Sequence, residues 1–459
     1  MNLQSKLFLL LIFLVSAINA QDNPAINSWL QNTSQTGLYY VSGNSTAIPN
    51  NILVNCQLIE YSNDFVYVHT HGIPAYPSGP FLDGNPSIAS DQDAIYKIPL
   101  NPVPNTGTLN STVGGNIGVF VNGVSLFDFR DGVGWNSTTN SLCGGPGNPP
   151  CPGGPMASTA WSRDAILAEK PGFDCSKAHP AMGNYHHHQN PSAFNLDLNV
   201  VSTICNLYDA DGLYAIDSMQ HSPLIGFAYD GFPIYGAYGF KNSDGTGGVV
   251  RLKSGYQLRD ISSRITSPTG ESVSAGPVIS STYPLGYFRE DYEFITHAGE
   301  EDYLDLHNGR LCVTPEYPEG IYCYFATVDE NWNSAYPYVV GPTFYGNYAN
   351  RKVTTVSEAT TVFEPVVTAT NSSIDVERQV KIFPNPASDL IAIQISGLNS
   401  ENLSVDLYDL EGKLVNSTSL KAGSTIAYFD TRILYSGTYF VIVKGDTVSV
   451  SRKIIINKD

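Results

Sequence analysis

Four of the chain's nine histidines fall within ten residues, from His179 to His188, and those ten contain no Lys, Arg, Asp or Glu. Imidazole is the side chain that most often ligates metals, and it exchanges its proton near neutral pH. Backbone geometry restricts what such a run can build. If Tyr185–His188 is extended, His186 and His188 share one face, and Tyr185 and His187 share the other. Two imidazoles at alternate strand positions can grip one ion. A second pair at the same spacing, His69 and His71, lies far upstream. The two pairs are therefore expected to converge on one metal, with His179 and His221 in reserve. The plain alternative is a set of solvated loop histidines.

The rest of the chain suits strands. Charged residues are only 14%, and Gly, Pro, Asn, Ser, Thr and Tyr fill the gap, a mixture for short strands joined by turns. Residues 65–71 are rich in β-formers, and Gly72 and Pro74 follow them. Asn122-Gly123 and Asp230-Gly231 read as hairpin turns. Asp230 reads equally as a turn-former and as a carboxylate orienting a metal-bound histidine. Residues 164–170 are one of few helix-compatible stretches. Asp209-Ala210-Asp211-Gly212 has part of a calcium-loop pattern without its spacing, and an Asx turn is the better reading. The fold expected is mainly β, with a β-rich central domain carrying long loops and a small C-terminal β-sandwich.

The block Tyr185-His186-His187-His188 resembles the Tyr-His-Tyr-His signature of the bacterial YHYH proteins, with His187 in place of the second tyrosine. A second block, from His221-Ser222-Pro223 through Asp230-Gly231-Phe232 to Tyr235-Gly236, is also similar to that family. So is a third: Asn308-Gly309-Arg310, Thr314-Pro315-Glu316-Tyr317-Pro318 and Tyr322-Cys323-Tyr324-Phe325. The resemblance spans roughly residues 50–345 and implies a secreted bacterial domain with a His/Tyr-rich pocket. Tyr185 and Asp230 are the catalytic candidates, and no reaction is implied.

A different resemblance covers the tail. Lys381-Ile382-Phe383-Pro384-Asn385-Pro386 opens a strand-rich module, with a hairpin at Glu411-Gly412 and a last strand near Lys453-Ile454-Ile455. These motifs resemble the type A C-terminal sorting domain of the type IX secretion system of Bacteroidetes. That resemblance implies secretion machinery as a partner, export across the outer membrane and later loss of the tail. At the other end, Lys6 and the short apolar run 7–15 followed by Ala17-Ile18-Asn19-Ala20 read as a secretory signal. The expected order is signal 1–20, central domain 22–350, linker 351–378 and sorting domain 379–459. The protein then passes through the periplasm and is secreted or held at the cell surface.

Export permits disulfides. Of seven cysteines, Cys143 and Cys151 flank a Gly/Pro loop, Cys312 and Cys323 flank a turn, and Cys175 and Cys205 bracket the histidines. These are the expected pairs, leaving Cys56 as a buried thiol or a ligand. The net charge of −18 argues against nucleic acid, which needs a basic face. No run is long and apolar enough for a transmembrane helix. No P-loop, nucleophile elbow or dinucleotide fingerprint occurs.

Two functional classes remain open. One is a metal-dependent protein using copper or zinc, with calcium a further option. Copper beside tyrosine would point to oxidation, and zinc with an open position to hydrolysis. The other is a non-enzymatic surface module. Its 28 Tyr and four Trp offer stacking platforms for an extracellular polysaccharide or a protein. Metal content separates the two.

Overall fold

A computed structural model describes residues 23–81, 88–145, 147–154, 159–191, 212–214, 216, 218–364, 380–395, 402–410, 412–421, 426–445 and 449–458. The signal, Asp209–Asp211 and Cys205 lie outside these residues. The chain divides into two compact units, residues 1–364 and 365–459. It is mainly β, as expected, and among the described residues no helix is long and apolar enough to cross a membrane.

The central unit is built on two sheets. The larger has eight strands in the order Ala178–Ala181, Asn184–His187, Ser125–Phe127, Asn116–Phe120, Leu224–Ala228, Pro233–Tyr235, Ile321–Phe325, Gly309–Cys312. The second is antiparallel with five strands, Lys352–Val353, Ala94–Pro99, Phe65–Thr70, Cys56–Tyr61 and Thr361–Val362. The turn dipeptides act as hairpin corners: Gly123 and Gly231 both take positive φ. The apolar residues at these corners' flanks, among them Val119, Phe120, Phe227 and Ile234, are fully or almost fully buried in one core with Val66, Val68 and Ile98. Residues 352–353 and 361–362 of the expected linker add a strand at each edge of the five-stranded sheet. Paired edges of this kind are protected from stray strand addition.

Of the expected disulfides, Cys143–Cys151 is formed. Cys175 is also disulfide-bonded. The Cys312–Cys323 expectation is corrected: both thiols are free and buried. The hairpin is there, but its register sets Cys312 opposite Ile321 and Cys323 opposite Arg310. The cysteines are thus diagonal neighbours on one face and not a directly opposed pair. Cys56 is a buried free thiol, its pKa pushed up by burial.

The C-terminal unit contains a three-stranded sheet (Val380–Phe383, Leu390–Ile395, Ile426–Asp430) and a four-stranded one (Leu414–Leu420, Leu403–Tyr408, Gly437–Lys444, Ser449–Ile456). Alternating residues of both, including Ile391, Ile393, Val405, Leu407, Val441 and Ile454, form its separate core. This is the small sandwich that the spacing of strands and turns predicts.

Candidate metal centre

The histidine run forms a hairpin. Ala178–Ala181 pairs antiparallel with Asn184–His187, with Ala178 opposite His187, His179 opposite His186 and Pro180 opposite Tyr185. Met182 and Gly183 make the two-residue turn, both at positive φ. Gly183 is required twice over, since a Cβ there would lie 2.0 Å from the Ser90 Oγ. Directly opposed residues in an antiparallel pair point to the same face. His179 therefore joins His186, and His188 lies on the same face one pleat further on.

The three imidazoles meet. Their potential ligand atoms all lie within 4.8 Å of one another, and all three residues are buried. The Nε2 atoms of His186 and His188 are 3.0 Å apart. A fourth group joins them from a short helix, Ala165–Glu169. Asp164 caps its start, accepting from the Ile166 and Leu167 N–H groups. Pro171, just beyond, ends it within a 3-10 turn. Glu169 stands at its last position, with Oε2 3.1 Å from His179 Nε2 and 3.2 Å from His188 Nε2.

Hydrogen bonds on the far side of the rings fix the protons. His186 Nδ1 lies 2.8 Å from the Asn184 carbonyl oxygen, and His188 Nδ1 lies 2.5 Å from that of Asp128. A carbonyl oxygen only accepts, so each Nδ1 carries the hydrogen. In a neutral imidazole the Nε2 atom is then a bare lone pair. Burial, followed by the neighbouring His188 and His179, pushes the His186 pKa well below its ordinary value. Phe127 stacks on His186 with centroids 3.8 Å apart, and Phe173 meets His179 edge-on at 5.0 Å. These rings hold the imidazoles in place and narrow the approach of water.

The other sequence candidates lie elsewhere. His69 and His71 do not join the centre: His69 Nε2 pairs with Glu60 at 2.8 Å, and His71 Nδ1 pairs with Asp91 at 2.7 Å. Their strand ends at Thr70 and belongs to the five-stranded sheet, whereas the cluster is built on the eight-stranded one. His221 packs its ring against Phe240 and Tyr235, with Nδ1 on the Ser222 carbonyl. Tyr185 occupies the opposite face of the hairpin and donates its hydroxyl to Asp174. Asp230 sits at its hairpin tip as the turn reading expects. It accepts from the Tyr324 hydroxyl and from the Gly346 N–H and orients no histidine. The carbonyls of Asn184 and Asp128 perform that orienting task. Glu169 was missed. Its one signal was position: it closes the helix-compatible stretch just before the histidine run.

Comparison with known families decides the affiliation. The description of the YHYH protein family matches residues 95–337, more than half of the chain, and includes the whole histidine hairpin. The chain belongs to the YHYH protein family. Downstream of the YHYH domain, residues 381–457 match the secretion system C-terminal sorting domain. That tail marks the protein for export by the type IX system to the cell surface or the extracellular space. No curated protein matches the chain. Among solved structures, the fn3 domain of human collagen alpha-1(XX) chain is 16% identical, with 18% of this chain and 80% of that one covered at a TM-score of 0.16. A single-mutant thermostable endoglucanase from Alicyclobacillus acidocaldarius is 21% identical, covering 15% of this chain and 12% of that one at a TM-score of 0.11. Overlaps this small carry no argument about the YHYH domain.

Proposed function

We propose that the YHYH domain binds one divalent transition-metal ion through His179, His186, His188 and Glu169, and that the exported protein acts outside the cell through that ion. One observation carries the reading: acceptors face acceptors. In a buried space, the Nε2 atoms of His186 and His188 lie 3.0 Å apart, and the Glu169 carboxylate oxygen lies 3.2 Å from His188 Nε2 and 3.1 Å from His179 Nε2. Lone pairs so placed repel unless a cation lies among them. Ligands about 2.0–2.2 Å from one ion are about 2.8–3.1 Å apart at octahedral angles and about 3.3–3.6 Å apart at tetrahedral ones. Three imidazoles and one carboxylate suit zinc or copper, whereas calcium takes oxygen donors. Glu169 is the most solvent-exposed of the four, with 24% of its side chain accessible, so the site lies nearest to solvent on its side. Zinc there would lower the pKa of a bound water for hydrolysis, and copper would serve oxidation.

Metal analysis tests the reading. Purified protein dialysed against zinc or copper, then freed of loose ions, should retain close to one ion per chain. Retention near zero with both metals would end it. In the same reading the chain loses its signal near Ala20 and its sorting tail after export, and is then secreted or held at the surface. Mass spectrometry of culture-medium protein checks that: an intact chain reaching Asp459 outside the cell contradicts it.

A further inference from the structure

Apart from the four ligands, the central unit contains a cavity of about 600 Å3. Its floor is formed by Arg130, Gly132 and Gly134 of the strand Arg130–Asn136. The loop closed by the Cys143–Cys151 disulfide forms one wall. The glycines let these surfaces approach: a Cβ on Gly144 would lie 2.6 Å from the Gly132 carbonyl oxygen, and one on Gly134 would lie 2.3 Å from the Thr159 Oγ1. Thr159, Ser162 and Asn148 supply polar side chains to the lining.

Two guanidinium groups, those of Arg130 and Arg289, line the same cavity. They lie 5.7 and 5.9 Å from the Phe129 ring centre. The chain has 24 Lys and Arg in 459 residues and a net charge of −18, so composition alone would not bring two together here. Both are pre-set. Arg130 donates through Nε to Asp128 and through Nη2 to the Thr112 carbonyl. Arg289 donates through Nε to Glu290. These bonds engage part of each guanidinium and fix its plane. Nη1 of Arg289 is buried and has no acceptor among the described residues. The two carboxylate partners neutralise the formal charge. Recognition would therefore depend on oriented donors and not on a broad positive field.

A planar carboxylate matches a fixed guanidinium fork by accepting parallel N–H bonds. The Thr, Ser and Asn side chains can both donate to and accept from neighbouring hydroxyls. The volume falls within the range of small-molecule sites. We propose that this cavity binds a carboxylate flanked by hydroxyl groups, supplied either as a free hydroxy acid or as a uronate unit of a glycan. The inference stands on the cavity alone and does not require the metal.

Calorimetry on the full chain, treated with chelator, provides the test. The probes are gluconate, a glucuronate oligosaccharide and a neutral glucose oligosaccharide of equal length. An acidic probe should bind at least about tenfold more tightly than the neutral one, and Arg289→Gln should weaken it about 10- to 100-fold. Asn148→Trp should also block binding by filling the cavity, while leaving both guanidinium groups in place. This second variant decides the matter if Arg289→Gln fails to fold. Binding of gluconate points to a free acid, and binding of the oligosaccharide alone to a glycan. Equal affinity for the neutral probe, no binding of any probe, or an Asn148→Trp protein that binds normally overturns the proposal. A protein that retains metal yet binds no acid refutes this inference and leaves the metal reading standing.

Discussion

The two faces of the histidine hairpin make an instructive contrast. They share one backbone and adjacent residues, and both are buried. On the Tyr185 face the tyrosine hydroxyl and His187 Nε2 each have a polar partner. Tyr185 donates to Asp174, whose two oxygens also take the N–H groups of Gly79, Ser176 and Ala178. His187 Nε2 lies 2.8 Å from the Tyr76 hydroxyl, and its ring packs edge-on against Phe120. Burial, then the Lys177 cation, lowers the His187 pKa to about 3, so its ring stays neutral. On the His186 face the bare nitrogens meet one another and a carboxylate. Burial is common to both faces; the crowding of imidazoles on a carboxylate belongs to one. Buried polar groups are stable when paired, so the His186 face, where three imidazoles crowd one carboxylate, is the one a cation would complete.

The contrast can be broken from either side. The largest effect should come from His186→Ala combined with His188→Ala, which should take metal content from about one ion per chain to nearly none. Metal analysis after zinc loading reads this, and unchanged content would move the ion elsewhere. Glu169→Gln keeps an oxygen donor but loses the charge. It should weaken zinc about 10- to 100-fold in competition with a chromogenic chelator; unchanged affinity would leave an all-histidine site.

His187→Ala should do the reverse of the double variant. Metal content should persist, while stability falls by on the order of 2–4 kcal/mol in urea unfolding, from a core cavity and the lost hydrogen bond to Tyr76. Loss of metal equal to that of the double variant would show that the two faces do not act separately. Tyr185→Phe is the mildest change. It removes one hydrogen bond to Asp174 and should cost about 1–2 kcal/mol with metal content unaltered. A lost ion would return Tyr185 to the site.

Protons offer a graded test. A metal competes with protons for each Nε2, so binding weakens once an imidazole charges. The His186 pKa lies below its ordinary range, which keeps that ring neutral further into acid. Zinc should therefore be released below about pH 6, the region where an exposed imidazole charges. Release centred near neutrality in a pH titration of bound zinc would mean that the rings are more solvated than the structure shows.

Much of the architecture was legible. Strand-forming runs between Gly, Asn and Asp turns gave the hairpins at Asn122-Gly123 and Asp230-Gly231, and the spacing of strands gave the tail sandwich. One further relation was present but not drawn from the sequence. His179 and His186 are equidistant from the Met182-Gly183 turn, and a two-residue turn places such residues directly opposite each other. Reading that turn would have moved His179 from the reserve into the centre. The disulfide expectation for Cys312 and Cys323 failed on the same kind of detail, because the register of their hairpin offsets the two cysteines.

By itself, the sequence determined which histidines could share a face. His186 and His188 alternate with Tyr185 and His187 because side-chain alternation is a property of any extended backbone. Only the tertiary structure decided what completes the group. His69 and His71 have the same local pattern, but their strand pairs within the other sheet and finds Glu60 and Asp91 as partners. Glu169 has no histidine-like pattern at all, and reaches the centre because a capped helix ends beside the hairpin. Alternation is set by neighbouring bonds. Convergence is set by which strands and helices pack together over long sequence distances, and short-range patterns do not encode that.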